Sequence, residues 1–314
     1  LLYAADAPLK HLILVRILGH LTFDLIKVDG GIEYQSLGGP PAYAGLYLAN
    51  CGASVTVNTK VGPDFGARQL GLLRKRGLHF EHPFRGHKAT TRFEIQVNRA
   101  TGARALRLLN ACDGIIADLP KGVKADATII APVIGEIDPK DIPRLGSSHF
   151  VYVDPQGFLR VVRHQKVTLQ PNPALASHLL EVDAIKVDRD EGYVMTGKRE
   201  PKEIAASLMK LGVKEVLVTL GGDSVLLFYR GQTFSAPVPA AKPIDSIGAG
   251  DILGAAYTLH RLFENPERSV LAAVSDVSHL IQGKGISKVM NRRSFVPIIK
   301  GLPQLRRGLK KHSG

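Results

Sequence analysis

Apolar runs rich in Val and Ile alternate with helical patterns along most of this chain. The runs at residues 12–18, 55–59, 128–131, 150–153, 184–187, 216–220 and 225–229 read as strands covered on both faces. Between several of them, residues 42–50, 65–76, 202–211, 249–263 and 267–281 carry helix-compatible patterns. Alternation of this kind predicts an α/β fold, a mainly parallel sheet with helices on both faces. Ligands in such folds bind at the carboxyl ends of the strands.

Two segments break the alternation. Residues 27–37 hold Asp29, Gly30 and Gly31 inside an alternating run, and residues 90–109 have extended stretches on either side of Asn98-Arg-Ala-Thr-Gly102, a hairpin-like turn. Both occur where a helix is due. They predict a small sheet standing off the main body as a cover over the site, or else ordinary edge hairpins. The whole chain, 1–314, reads as one domain with lid segments at 27–37 and 90–109 and a basic tail at 291–314.

With 314 residues and 45% apolar composition the chain can bury a large core. Its first apolar run carries Arg16 and falls far short of the ~20 residues a membrane span needs. Cys51 and Cys112 stand far apart in no metal-ligand spacing, which argues against a structural zinc site. They read as buried thiols in a reducing, cytoplasmic setting, with a single disulfide left open. The net charge of +13 suggests an anionic partner, but seven of those charges lie in the acid-free stretch 291–314, leaving +6 for the rest. A basic tail of this kind is a solubilising end more often than a nucleic-acid site.

The densest chemistry lies at Gly248-Ala-Gly-Asp251. Gly248, Ala249 and Gly250 leave the backbone nearly bare at a helix start, where unpaired N–H groups and the helix dipole attract an anion. A negative Asp251 in the same place is a puzzle for a simple phosphate seat. Gly192–Arg199 imitates a Walker P-loop but ends on Arg199, which has no hydroxyl for magnesium, and it does not open from a strand into a helix. Asp188 and Glu191 follow a buried strand; they can hold magnesium as hard oxygen ligands, or form a helix capping box, or both. Asp24, beyond the first strand, with Gly38 and Gly39 before a Pro-initiated helix, suits a polyhydroxyl ligand; a turn Asp and an ordinary helix start suit the pattern equally.

Gly38-Gly-Pro-Pro-Ala-Tyr-Ala-Gly45, Leu48 to Val55 and Lys60 to Gly66 resemble the first signature of the ribokinase-like, or PfkB, carbohydrate kinases, and Ile244 to Asp251 resembles the second. Glu136, Asp154-Pro155, Asp188-x-x-Glu191 and Thr219-Leu-Gly221 agree in order, so the resemblance spans roughly residues 12–283. It implies a three-layer α/β/α body with a β-sheet lid and ATP-dependent phosphorylation of a sugar or polyol hydroxyl. By the same resemblance Asp251 is the catalytic base and Gly248, Ala249 and Gly250 are the anion hole; the helix terminus is expected to keep Asp251 ionised. Asp24, Gly38, Gly39, Glu136 and Arg160 are implied at the acceptor, Asp188, Thr219 and Gly221 at the nucleotide. Glu191 is implied at water-mediated Mg2+, and Asp245 with Ser246 at a monovalent cation such as K+.

The exposed edges of such a lid predict a homodimer in which the segments near 27–37 and 90–109 meet across a two-fold axis. Asp154-Pro-Gln-Gly-Phe-Leu-Arg160 resembles the myo-inositol kinase branch, which favours a cyclic polyol. Departures from the family pattern are the missing Asn after Gly39, Asp188 where Asn is usual, and Gly222-Asp-Ser224 after Thr219-Leu-Gly221. Rival readings are a nucleoside kinase, with Tyr34, Tyr43 or Phe93 stacking on a base, and a non-catalytic ligand or nucleic-acid binder.

Overall fold

The structure, a computed structural model, describes residues 12–81, 84–98, 100–101, 103–115, 125–145, 148–239 and 243–290. The basic tail at 291–314 lies outside the described residues. Among these residues a nine-stranded sheet forms the body. Its strands are β1 (Leu14–Leu18), β4 (Ser54–Asn58), β5 (Leu78–Phe80), β8 (Ala127–Ile130), β9 (Phe150–Val153), β12 (Ala184–Asp188), β13 (Glu215–Thr219), β14 (Ser224–Tyr229) and β15 (Gln232–Pro237). Their order is β15-β14-β13-β12-β9-β8-β1-β4-β5, parallel from β5 to β13 and closed by an antiparallel hairpin.

Alternation along each strand builds the three layers. Phe150, Tyr152, Ala184 and Leu217 join one apolar core, whereas Val151, Val153, Ile185, Val187, Val216 and Val218 join the other. Helices Pro40–Asn50, Ala249–Arg261 and Pro266–Leu280 cover the first face. Helices Arg189–Thr196 and Pro201–Lys210 cover the second. Lys186 alternates with Ile185 and Val187, so its side chain faces the helix Ala249–Arg261.

A six-stranded, mostly antiparallel sheet stands apart as the lid: β2 (Thr22–Val28), β3 (Gly31–Gly38), β6 (Arg92–Val97), β7 (Arg104–Asn110), β10 (Arg160–Arg163) and β11 (Lys166–Leu169), in the order β10-β11-β7-β6-β2-β3. It is larger than the sequence pattern predicts. The lid begins at Thr22, so Asp24 lies within a strand and is no turn residue. The sequence hides this because Thr22 and Asp24 take the buried side of β2, inverting the usual apolar-in pattern. The β10–β11 hairpin turns through His164 and Gln165, both at positive φ, without the Asn or Gly that ordinarily marks such a turn.

Cys51 and Cys112 are both free and buried. The Walker-like stretch forms the end of the helix Arg189–Thr196, which Gly197 closes in the left-handed conformation, φ 70°. Among the described residues no helix is long and apolar enough to cross a membrane.

Candidate active site

The sequence-predicted residues gather at the carboxyl ends of the parallel strands. Glu136 follows β8, Asp154 follows β9, and Asp188 ends β12 directly opposite Thr219 at the end of β13. Gly221 follows in the left-handed region, φ 67°. The helix Ala249–Arg261 points its amino end at this rim, with Gly248 as its cap at φ 76°. A side chain at 248 would fail twice, because a Cβ there would also come within 2.5 Å of the Tyr43 ring.

The expected anion hole differs in one detail. The Ala249 N–H donates to the Ser246 carbonyl at 3.2 Å and closes a turn, so it is spent within the loop. The helix's own ladder begins with Ile252 N–H donating to Gly248 O at 3.0 Å. By helix geometry the N–H groups of Gly250 and Asp251 have no acceptor inside the helix, and these carry the exposed positive end of the dipole.

Asp251 is flanked by charge. Burial, reinforced by repulsion from Asp154, pushes its carboxyl up to about 7 against the attraction of Lys186 and Arg160. Burial thus works against the helix amino end, which favours the ionised carboxyl.

Lys186 sits between the carboxylates. Its Nζ lies 2.8 Å from Asp154 Oδ2 and 3.9 Å from Glu191 Oε2, and 3.3 Å from a Cβ built on Gly250. Burial opposes its charge, but Asp154 and Glu191 hold the ammonium well above the usual lysine range. Glu191 and Asp188 form the full capping box: Asp188 N–H donates to Glu191 Oε2 at 2.9 Å, and Glu191 N–H donates to Asp188 Oδ1 at 2.8 Å. Burial pushes Glu191 up to about 7 despite Lys186.

On the lid side, Asp24 is buried and accepts the Thr22 hydroxyl at 2.8 Å. Burial pushes it up to about 7, partly offset by Thr22 and by the nearby Arg160 guanidinium. Gly38 stands against Asp24, while Gly39, at φ 83°, passes so close to His20 that a Cβ would come within 2.1 Å of its carbonyl. Arg160 donates to Val133 O at 3.0 Å and Gln156 Oε1 at 2.7 Å, and its guanidinium lies 6.0 Å from the Phe93 ring centroid. Asp24, Arg160 and Asp251, distant in sequence, thus feel one another's charge.

Glu136 is occupied differently from the expected acceptor contact. Its Oε1 accepts the N–H groups of His20 at 2.9 Å and Val133 at 2.8 Å, and its Oε2 that of Ile134 at 2.8 Å. It ties the end of β1 to the loop after β8. An open hollow of about 680 Å³ lies beside Arg160 and Glu136, and its lining does not include Asp24 or Asp251.

Asp245 accepts the Tyr34 hydroxyl at 2.6 Å, Gly285 N–H at 2.7 Å and Ile247 N–H at 2.8 Å. Where a monovalent cation is expected from the sequence, the buried ammonium of Lys288 stands instead, 2.9 Å from Asp245 O and 2.5 Å from Ile247 O. Burial raises Asp245, but Lys288 and these hydrogen bonds bring it below the usual carboxylate range. Tyr34 and Tyr43, expected as base-stacking faces, are committed to Asp245 and to the support of Gly248. Phe93 is buried in register with Asp24. Sequence reasoning missed Lys186 and Lys288. A lysine inside a strand covered on both faces was a readable signal for the first; nothing marked the second.

Comparison with known proteins agrees with this geometry. Residues 158–284 match the pfkB family carbohydrate kinase. A ribokinase of Arabidopsis thaliana is 30% identical over 135 residues, 41% of this chain and 36% of that protein. An inositol 3-kinase of the same plant is 25% identical over 248 residues, 76% of this chain and 65% of that protein. The matched regions thus span less than two thirds of these relatives' own length. A pyrophosphate-dependent kinase in the ribokinase family, solved with a pyrophosphate analog and myo-inositol, superposes with a TM-score of 0.76 at 24% identity, covering 88% of this chain and 99% of that one. With both signatures at the strand ends, a nine-stranded body and a separate lid, the chain has the ribokinase fold and carries the pfkB carbohydrate kinase match over residues 158–284.

Proposed function

We propose that this protein transfers a phosphoryl group from ATP to a hydroxyl of a sugar or cyclic polyol, with myo-inositol the preferred acceptor. The observation that carries the reading is the placement of Asp251 in the first turn of a helix at the strand-end rim, beside Lys186 and within the electrostatic reach of Arg160 and Asp24. The acceptor hydroxyl gives its proton to Asp251 as its oxygen bonds to the γ-phosphorus, and the bond from that phosphorus to the bridging oxygen breaks to release ADP. Negative charge on the transferring group then meets the N–H groups of Gly250 and Asp251 at the start of the helix, with Lys186 behind them. Asp24 accepts hydrogen bonds from acceptor hydroxyls, and Arg160 donates to them in a fork.

A divalent ion would neutralise the donor's phosphates. Asp188 and Glu191 each commit one oxygen to the capping box, so the other oxygen of each is chemically suited to a hydrated Mg2+. Asp188, Thr219 and Gly221 are assigned to the nucleotide side. Pyrophosphate is the alternative donor, favoured by the fold neighbour that uses it.

The inositol 3-kinase and the myo-inositol-bound neighbour support the polyol, and the commitment of Tyr34 and Tyr43 elsewhere weakens the nucleoside reading. The test is a panel of myo-inositol, ribose, fructose 6-phosphate and cytidine, each with ATP and with pyrophosphate. Highest kcat/KM for myo-inositol with ATP is expected. A better rate for another acceptor sinks the polyol assignment; no transfer with any pair sinks the kinase.

A further inference from the structure

Asp245 and the carbonyls of Asp245 and Ile247 present the oxygens with which a loop would hold a small monovalent cation. The ammonium of Lys288 is already there. Its Nζ lies 2.9 Å from Asp245 O, 2.5 Å from Ile247 O and 3.5 Å from Asp245 Oδ2, and its side chain is fully buried. An ammonium has three N–H donors, and three oxygens face it. Removed from water, a charge this deep persists only with such partners. A metal ion in the same oxygens would meet direct repulsion from the ammonium, so K+ does not fit this chain.

The position gives the charge a task. Both carbonyls belong to the strand-to-helix loop that runs into Gly248, so one cation fixes the backbone just before the helix amino end. The same ammonium lies 5.4 Å from the centroid of the Tyr43 ring, against which Gly248 packs. Gly285 N–H and Tyr34 OH hold the Asp245 carboxylate from the other side, and Ser36 accepts Ile286 N–H at 3.0 Å. The helix Ser287–Met290, the lid strand β3 and the anion loop are thus tied at one point.

We infer that Lys288 is a tethered cation, a positioning residue whose ammonium does the work of a bound monovalent ion and makes the protein independent of one. Its effect on catalysis rests on the phosphotransferase reading above; its effect on the loop does not.

The experiment measures melting temperature and donor kcat/KM for the full chain and for Lys288→Ala and Lys288→Met, in potassium, ammonium, sodium and choline chloride at constant ionic strength. The wild-type protein is expected to respond equally to all four salts. Lys288→Ala, with space for an ion, should lose about 10- to 100-fold in kcat/KM, the scale of losing charge-assisted hydrogen bonds. Potassium or ammonium, but not choline, should then restore rate and raise melting temperature saturably. Lys288→Met fills the space without charge and should not be rescued. Saturable stimulation or stabilisation of the wild-type protein by potassium overturns the inference, and so does a Lys288→Met protein equal to wild type in both readouts. If neither variant folds, the wild-type salt series decides, its flat response supporting the inference and a potassium response overturning it. Absence of kinase activity would count against the proposed function while the melting series still judges Lys288.

Discussion

A Cβ built on Gly38 would come within 1.9 Å of Oδ2 of Asp24 and 2.7 Å of the Thr22 hydroxyl, so the glycine of one lid strand makes room for the carboxylate of the next. Gly38 is in register with Thr22 at the base of that hairpin. Gly38→Ala must therefore displace Asp24 or part the strands. On the proposed reading it lowers kcat/KM for the acceptor about 10- to 100-fold while leaving donor KM within a few-fold, because only acceptor hydrogen bonds are lost. Initial-rate kinetics with each substrate varied in turn checks this. An unchanged acceptor kcat/KM would remove Asp24 from the acceptor site.

The body of the fold was legible because strands buried on both faces read as continuous apolar runs, and β9 and β12 lie where Phe150 to Val153 and Ala184 to Val187 place them. The lid was half legible. Its central hairpin announces itself through Asn98 to Gly102, but β2 carries its polar residues inward and the β10–β11 turn lacks Asn and Gly, so local pattern misleads at both. At the site, motif spacing located Asp251 and the Asp188–Glu191 pair. It could not reveal that Lys186 and Lys288 are brought to them by sheet alternation and by a distant helical turn, since those contacts are purely tertiary.

Glu191→Gln separates the capping role from the metal role. The glutamine carbonyl can still accept the Asp188 N–H, so the capping box survives and the melting temperature should move little. The lost negative charge should raise the magnesium concentration for half-maximal rate. Titration of magnesium at saturating substrates tests it. A fall in stability with no change in magnesium dependence would leave the cap as the residue's whole function.

Among the described residues the lid sheet ends on β3 and β10, and the tip of the β3 hairpin exposes Ile32 at 68%. Exposed strand edges and apolar tips are commonly covered by a second copy of the same surface. A homodimer through the lids is proposed, and Ile32→Asp should weaken it. Light scattering at micromolar concentration should give twice the monomer mass for the wild-type protein and a lower value for the variant. A wild-type monomer would end the proposal.

The perturbed carboxyls make opposite demands on pH. With Asp251 pushed up to about 7, kcat/KM, which reports the free enzyme, should fall as pH drops below that value, because a protonated Asp251 cannot accept the hydroxyl proton. Stability runs the other way. Between the ordinary aspartate value of 3.8 and about 7, the unfolded chain has released the proton that folded Asp251 still holds. The unfolded state then binds fewer protons than the native state, so unfolding free energy decreases as pH rises through this window, and Asp24 and Glu191 add in the same direction. Asp251→Asn should lower turnover by at least ~10² at pH 8, the lower end for loss of a general base, with donor affinity within a few-fold and the gap narrowing as pH falls below about 7. The same variant should gain melting temperature relative to wild type at pH 8 compared with pH 5, since it no longer buries a carboxylate. Near-normal turnover in Asp251→Asn would exclude the residue as the base. A stability difference independent of pH would mean that its carboxyl titrates near the ordinary value in the folded protein.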